Sequence, residues 1–328
     1  MPDTVDVLIV GAGPTGLACG IEATRAGLKT LILEKGCLVN SIFSYPANMT
    51  FFTTRERLEI GDLPFACTNL KPTRADALEY YRAAATFYKL PTRPDQRVTA
   101  IRPLDGGFHL TAASASGSET EYSARKVIIA TGYYDRPNFL GVPGEDRPKV
   151  SHYALEGHAF YGRKVAVIGG ANSAAITSLD LYRHGADVTL IYRGAELSRH
   201  IKYWIRPDIE NRIREKSIRA CLGCRVTAIG ERSIEIEKAP GERFEIENDF
   251  VFALTGYHPD IDLLRRAGVE VDPASYRPVC DPQTLETNVP GLYVAGVLIS
   301  GRQTNEIFIE NGRFHGRQIM ADLRLKLK

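Results

Sequence analysis

The chain has 328 residues, 44% hydrophobic and 24% charged, enough to bury one large core or two medium ones. A net charge of +2 gives no reason to expect nucleic acid or an anionic membrane as partner, and no stretch approaches the ~18 apolar residues of a membrane span. The six cysteines, at 19, 37, 67, 221, 224 and 280, are too sparse and scattered for a disulfide scaffold, so free thiols in a cytoplasmic protein are expected.

The N-terminal "MPDTVDVLIVGAG" carries acids where a signal peptide needs bases. Val7–Val10 reads as a buried parallel strand, Gly11-x-Gly13-x-x-Gly16 as a tight turn, 17–26 as a helix and Lys29–Leu33 as the next strand. The glycines of such a turn permit the tight bend, close approach of backbone to a pyrophosphate, and close packing of helix on strand. Glu34 closes the second strand 23 residues after Gly11, where an acid can bind the hydroxyls of an adenosine ribose. A lone Gly-x-Gly-x-x-Gly is weak evidence; strand, helix and acid in the right places make dinucleotide binding the specific reading.

A helix is expected at 73–89 and a strand-rich stretch at 96–123. "KVIIATGYYDRP" (126–137) and "FVFALTGYHPD" (250–260) are each an apolar strand followed by Thr-Gly-Tyr and a proline, and read as two crossings into and out of an inserted domain. Between them, "RKVAVIGGANSAAITSLDLYRHGADVTLIYR" repeats the first unit at a constant offset of 158 residues: Gly11 maps to Gly169, Gly27 to Gly185 and Glu34 to Tyr192. Here the acid is missing, Ala171 replaces the middle glycine, and Arg193, Arg199, His200 and Lys202 follow. A ribose 2′-phosphate repels a carboxylate and pairs with arginine, so this copy is expected to prefer NADPH, the alternative being that Arg193 is an ordinary surface charge. The alanine methyl should weaken pyrophosphate binding.

The basic run "RIREK" at 212–216 reads as a solvated helix face. Cys221 and Cys224 lie in a strand-and-turn segment, whereas a redox Cys-x-x-Cys gains its low thiol pKa at a helix N-terminus. Structural cysteines, a metal half-site and a redox pair are the open readings; no second Cys-x-x-Cys or His-x-His completes a zinc site, and no metal is expected. The closing "TNVPGLYVAGVLISGRQTNEIFIENGRFHGRQIM" reads as a strand, a glycine turn and a long helix beginning near Asn305, belonging with the first domain. The fold class is therefore α/β with two Rossmann-like, three-layer ββα domains: 1–136 with 259–328, and an inserted 137–258.

Two such folds, two Thr-Gly turns and the closing Ala-Gly turn resemble the low-molecular-weight thioredoxin reductase-like flavoproteins. "VNSIFSYPANMTFFTTRERLEIGDLPF" (39–65), "GGANSA" (169–174), "YRGAELSRHIKYW" (192–204) and "AGVLISGRQTNEIFIENGRFHG" (295–316) are similar to the bacillithiol disulfide reductase (bacilliredoxin reductase) branch. The resemblance implies FAD in the first domain on Gly11, Gly13, Pro14, Thr15, Gly16, Glu34, Lys35, Asn40, Ser41, Thr131, Gly132, Gly296, Val297 and Asn305. It implies NADPH in the inserted domain on Gly169, Gly170, Asn172, Ser173, Ala174, Tyr192, Arg193 and Arg199, and a homodimer. Gly296 is followed by Val297 where the wider family has an aspartate for the ribityl chain. Counting back from the second turn places the thioredoxin reductase dithiol at His152 and Leu155, which carry no thiol. The branch's own cysteine position, inside the first turn, holds Thr15, whose hydroxyl cannot undergo disulfide exchange.

No catalytic side chain is assigned. The expected reaction is hydride transfer from NADPH to FAD, then electrons to a small-molecule or protein acceptor of disulfide type, with a quinone or oxygen as further candidates. Tyr45, Phe51, Phe52 and Arg55 are candidates for covering the flavin, with one phenylalanine expected in the core. Cys19 is expected in the core, Cys37 near the adenosine, and Cys67 and Cys280 in loops. The alternatives are a ferredoxin- or flavodoxin-NADP reductase, which the short "ADLRLKLK" end without an aromatic tail disfavours; a flavin monooxygenase, which the lack of a Phe-x-Gly-x-x-x-His motif disfavours; and a non-catalytic NADPH/flavin redox sensor.

Overall fold

The computed structural model describes residues 4–327. The chain forms two compact units: one comprises the chain up to Arg136 and from Tyr257 onward, the other Pro137–Gly256. Backbone pairing sets this division, since the His258 N–H donates to the Arg136 carbonyl within the first unit and the Asn138 N–H to the Gly256 carbonyl within the second.

The first unit begins with β1 (Val5–Val10), α1 (Pro14–Arg25), β2 (Thr30–Leu33), α2 (Asn40–Phe43), α3 (Arg74–Phe87), β3 (Thr92–Arg93), β4 (Arg97–Leu104), β5 (Gly107–Ala113) and β6 (Glu119–Ile129). The second unit runs β7 (Val150–Ser151), β8 (Lys164–Ile168), α4 (Asn172–Arg183), β9 (Asp187–Tyr192), α5 (Arg206–Arg214), β10 (Arg219–Leu222), β11 (Arg225–Ile229), β12 (Ser233–Ala239), β13 (Glu242–Glu247) and β14 (Phe250–Ala253). The first resumes with α6 (Ile261–Arg266), β15 (Leu292–Val294), α7 (Ile309–Gly312) and α8 (His315–Lys326).

In the first unit β3-β2-β1-β6-β5-β4 form one sheet, with β15 also on β6. The long β6 serves two layers. Its first half pairs antiparallel with β5, and its second half pairs parallel with β1 and β15. β1 is apolar on both faces and nearly all buried, as a central parallel strand covered on both sides must be. α1 packs on one face through Leu17, Cys19 and Ile21. The second unit has a parallel sheet β10-β9-β8-β14-β7 and a separate antiparallel sheet β11-β12-β13. Both units thus show the expected ββα pattern, with the strand-to-helix turns at the carboxyl ends of the parallel strands, where such sheets bind ligands.

Local chemistry explains the main helix. α3 starts at Thr73, whose hydroxyl accepts from the Asp76 N–H while Asp76 accepts from the Thr73 N–H, a reciprocal capping box. The long helix expected from Asn305 does not form. Asn305 lies exposed in a turn, and the Asn311 side chain accepts from the Phe308 N–H to start α7 there. Gly312 ends α7, and the chain turns again before α8. No helix among the described residues is long and apolar enough to cross a membrane.

Candidate functional site

β1 delivers the chain into the first turn at Gly11. With φ +106°, and with the Ala130 carbonyl oxygen 2.6 Å from where a Cβ would stand, this position has no room for a side chain. A Cβ on Gly16 would lie 1.9 Å from the Gly11 carbonyl oxygen, so α1 reaches the turn only because Gly16 has none. Gly13 differs from both. Its φ is −71°, and an added Cβ would meet no protein atom within 4 Å. Neither backbone conformation nor packing requires glycine there, whereas a pyrophosphate lying against the backbone would. α1 opens beside it with Pro14, no side-chain cap and no acid in the first turn, leaving the first-turn amides of Thr15 and Gly16 suited to an anion.

Glu34, at the end of β2, is buried; its Oε2 accepts the Ala12 N–H at 2.8 Å and its Oε1 the Gly36 N–H at 3.0 Å. Burial pushes the carboxyl pKa up, against the pull of those two amides. Each oxygen keeps a further lone pair for a ribose hydroxyl. Lys35 is ion-paired with Asp135, which joins the acid segment to the Thr131-Gly132 turn after β6. Asn40 and Ser41 open α2 behind Val39, a β-branched residue held in the left-handed region at φ 48°. The Val39 N–H donates to the Ala12 carbonyl at 3.1 Å, drawing this segment against the glycine turn.

The carboxyl end of β15 completes the first site. Cβ atoms built on Gly296 and Gly312 would lie 3.1 and 3.0 Å from the Thr15 Oγ1, so Thr15 fits between two glycines of the closing segment. Its hydroxyl has no hydrogen-bond partner among the described residues. His315, the first residue of α8, accepts the Gly296 N–H on Nδ1 at 3.0 Å, and burial lowers its pKa. Accepting there places the remaining ring proton of the neutral imidazole on Nε2. Sequence reasoning missed His315, because its partner is a distant backbone amide and leaves no mark in local spacing. Val297 follows within a short 3-10 turn, Gly296–Ser300.

Among the flavin-covering candidates, Phe51 is buried in the core, and Tyr45 is half-buried edge-on to Phe51 and Tyr134, with ring centroids 6.4 and 4.9 Å away. Arg55 is engaged within its own loop, on Glu56 and on the Cys67 carbonyl.

The second turn is built differently. Gly169, at φ +146°, lies against the Leu254 carbonyl oxygen, 2.5 Å from where its Cβ would be. A Cβ on Gly170 would lie 2.5 Å from three atoms of the Tyr192 ring, and one on Gly194 2.5 Å from the same ring. Tyr192 is therefore clasped between two glycines at the end of β9. Ala171 precedes α4, which also starts without a side-chain cap or first-turn acid and offers the amides of Asn172, Ser173 and Ala174. Arg193 and Arg199 are exposed and make no ion pair or hydrogen bond among the described residues. Both turns fit dinucleotides, and only the first carries an acid for the ribose.

Cys19, Cys221 and Cys224 do not join either turn. Cys19 is buried in α1 and its thiol is pushed up to about 12 by desolvation. Cys221 sits on β10, Gly223 turns at φ +71°, and Cys224 packs into a core cluster with its thiol donating to the Leu222 carbonyl at 3.4 Å. Burial also raises the Cys221 pKa, the opposite of what an attacking thiol needs. His152 lies 3.7 Å from Glu145, and Leu155 is exposed. Among the described residues no group of three or more His, Cys, Asp and Glu is placed to hold a metal ion.

A family model for the pyridine nucleotide-disulphide oxidoreductases matches residues 8–296. The chain is 46% identical to the bacilliredoxin reductase Bdr of Bacillus subtilis (strain 168), over 96% of each chain. It superposes on the bacillithiol disulfide reductase Bdr (YpdA) of Bacillus cereus with a TM-score of 0.96, at 42% identity over 99% of this chain and 100% of the other. The Staphylococcus aureus Bdr (YpdA) gives 0.94 at 39% identity, over all of both chains at 100%. Such membership implies FAD and NADPH as cofactors, and the two turns fit them. The chain belongs to the pyridine nucleotide-disulphide oxidoreductases, in the bacillithiol disulfide reductase branch, and is an FAD-dependent oxidoreductase.

Proposed function

We propose that this protein takes reducing equivalents from NADPH in the inserted domain (137–258) and delivers them to a disulfide acceptor at the FAD domain (1–136 with 259–328), with bacillithiol disulfide as the substrate. The observation that carries the nucleotide assignment is the contrast between a buried acid at the first turn and, at the second, a tyrosine flanked by unpaired Arg193 and Arg199.

The residues have distinct tasks. Gly11, Gly13, Pro14, Thr15 and Gly16 would cradle the FAD pyrophosphate, with Glu34 on its ribose and Lys35, Asn40, Ser41, Thr131, Gly132, Gly296 and Val297 around it. Gly169, Gly170, Asn172, Ser173 and Ala174 would hold the NADPH pyrophosphate, Tyr192 would border the ribose, and Arg193 and Arg199 would meet the 2′-phosphate. FAD supplies the two-electron exchange between nicotinamide and acceptor. The chain's part is to orient the reactants, exclude bulk water and admit the one proton that, with the hydride NADPH supplies, turns one disulfide into two thiols. Thr15 forms no mixed disulfide, so the acceptor is reduced without an internal thiol relay. A cytoplasmic location rests on the scattered free cysteines and a homodimer on the resemblance, and light scattering of the purified protein tests the assembly.

Anaerobic addition of NADPH should bleach the visible absorption band of the bound flavin; an unchanged band would sink the oxidoreductase reading. Turnover should then be fastest with bacillithiol disulfide among low-molecular-weight disulfides, quinones and ferredoxin. Arg193→Glu should reduce the preference for NADPH over NADH by at least about tenfold, the scale of one charge-assisted contact. An unchanged preference would remove the NADPH assignment.

A further inference from the structure

The loop after β9 is fastened to the phosphate turn at several points. The Ser198 N–H donates to the Gly170 carbonyl at 2.9 Å. The Asn172 side chain uses both ends of its amide: Nδ2 donates to the His200 carbonyl at 3.0 Å, and Oδ1 accepts the Lys202 N–H at 2.9 Å. From the other side, Arg206 donates to the Ser198 carbonyl at 2.6 Å and pairs with Glu210 at 2.7 Å. Leu197 and Ile201 anchor the same loop in the core, while Arg199 and His200 between them are exposed.

From this geometry we infer that Asn172 is a positioning residue that determines nucleotide specificity, and that its side chain acts through the loop rather than on the pyrophosphate. This rests on the NADPH reading of the second turn. The Asn172 amide pairs with two backbone groups of one loop as a neighbouring strand would, which fixes where Arg199 emerges relative to the α4 N-terminus. An arginine on a fixed loop meets a phosphate at lower entropic cost than one on a mobile loop. The backbone N–H of Asn172 stays with the helix terminus. One residue therefore links the site for the pyrophosphate, shared by both nucleotides, to the site for the 2′-phosphate, which only one nucleotide carries.

The test compares binding of NADP⁺ and NAD⁺, which share the pyrophosphate and differ only in the 2′-phosphate, to the FAD-loaded protein by calorimetry, with amide hydrogen exchange of residues 198–202. In Asn172→Ala the loss of two backbone contacts should weaken NADP⁺ about tenfold, leave NAD⁺ within about twofold, and speed exchange across the loop. Arg206→Met, which releases the loop from its far side, should produce the same selective loss. Equal weakening of both ligands would place the Asn172 side chain on the pyrophosphate and overturn the inference, as would unchanged NADP⁺ binding with faster exchange. If the unaltered protein shows no preference for NADP⁺ over NAD⁺, the NADPH reading fails first and the inference falls with it. Faster exchange in the variants would then still show the clasp, while the missing preference in the unaltered protein identifies the failure as that of the NADPH reading.

Discussion

The two turns are copies 158 residues apart, and they solve the same steric problem with different residue pairs. In the first, positions 12 and 34 are alanine and glutamate, and the alanine N–H bonds the carboxylate. In the second, the equivalent positions 170 and 192 are glycine and tyrosine, and the ring lies where an alanine methyl would have to be. Each pair works only as a pair. The helices also meet their turns through different residues: Gly16 leaves room for the Gly11 carbonyl, while its counterpart Ala174 carries a methyl beside Gly169. The acid thus accompanies a turn closed by a glycine contact, and the tyrosine a turn whose following loop is fastened by a side chain.

The strongest way to break this comparison is at the helix contact. Gly16→Ala puts a carbon 1.9 Å from a backbone oxygen that cannot move without the strand. It should cost about 3 kcal/mol and empty the FAD site, read as lost flavin absorbance after gel filtration. The mirror change Ala174→Gly should cost about 1 kcal/mol and keep nucleotide binding. Equal effects in the two units would show that the turns are not packed as described.

A smaller change exchanges the pairs. Gly170→Ala alone should destabilise by about 2 kcal/mol through overlap with the Tyr192 ring. Combining it with Tyr192→Glu should recover most of that and shift preference towards NADH, giving a coupling of about 1 kcal/mol or more in a double-mutant cycle. Additive effects would mean that the two positions are independent.

Much of this was legible in the sequence because a repeated glycine turn with its strand, helix and acid is a local pattern. The ββα architecture, Glu34, the burial of Cys19 and the strand-turn setting of Cys221 and Cys224 could all be read that way. The seating of Thr15 between Gly296 and Gly312 could not, because it joins opposite ends of the chain and depends on side chains that are absent. His315 and the inward use of Asn172 were hidden for a related reason: their partners are backbone groups, which have no identity in a sequence. Arg55 looked free to cover a cofactor until its own loop folded back to give it a carbonyl. The helix expected from Asn305 failed because the segment breaks after Gly312 and the cap that sets its real start involves Asn311.

The smallest expected effect uses acidity to tell the two fastenings apart. The closing segment that seats Thr15 is held through His315, which titrates, and the loop beside the second turn through Asn172, which does not. Burial lowers the His315 pKa, so between that value and the ordinary ~6.5 the unfolded chain binds the proton more readily than the folded one. Stability from this residue is therefore complete above about pH 6.5 and falls as pH drops through that window. Once protonated, Nδ1 becomes a donor facing the Gly296 N–H, and the bond is lost. Flavin retention in urea should weaken by about 1 kcal/mol from pH 7 to 5 relative to a His315→Asn variant, whereas 2′,5′-ADP binding should show no His315-dependent change. If His315→Asn left the pH profile of flavin retention unchanged, the imidazole would be a bystander, and the closing segment would seat Thr15 without it.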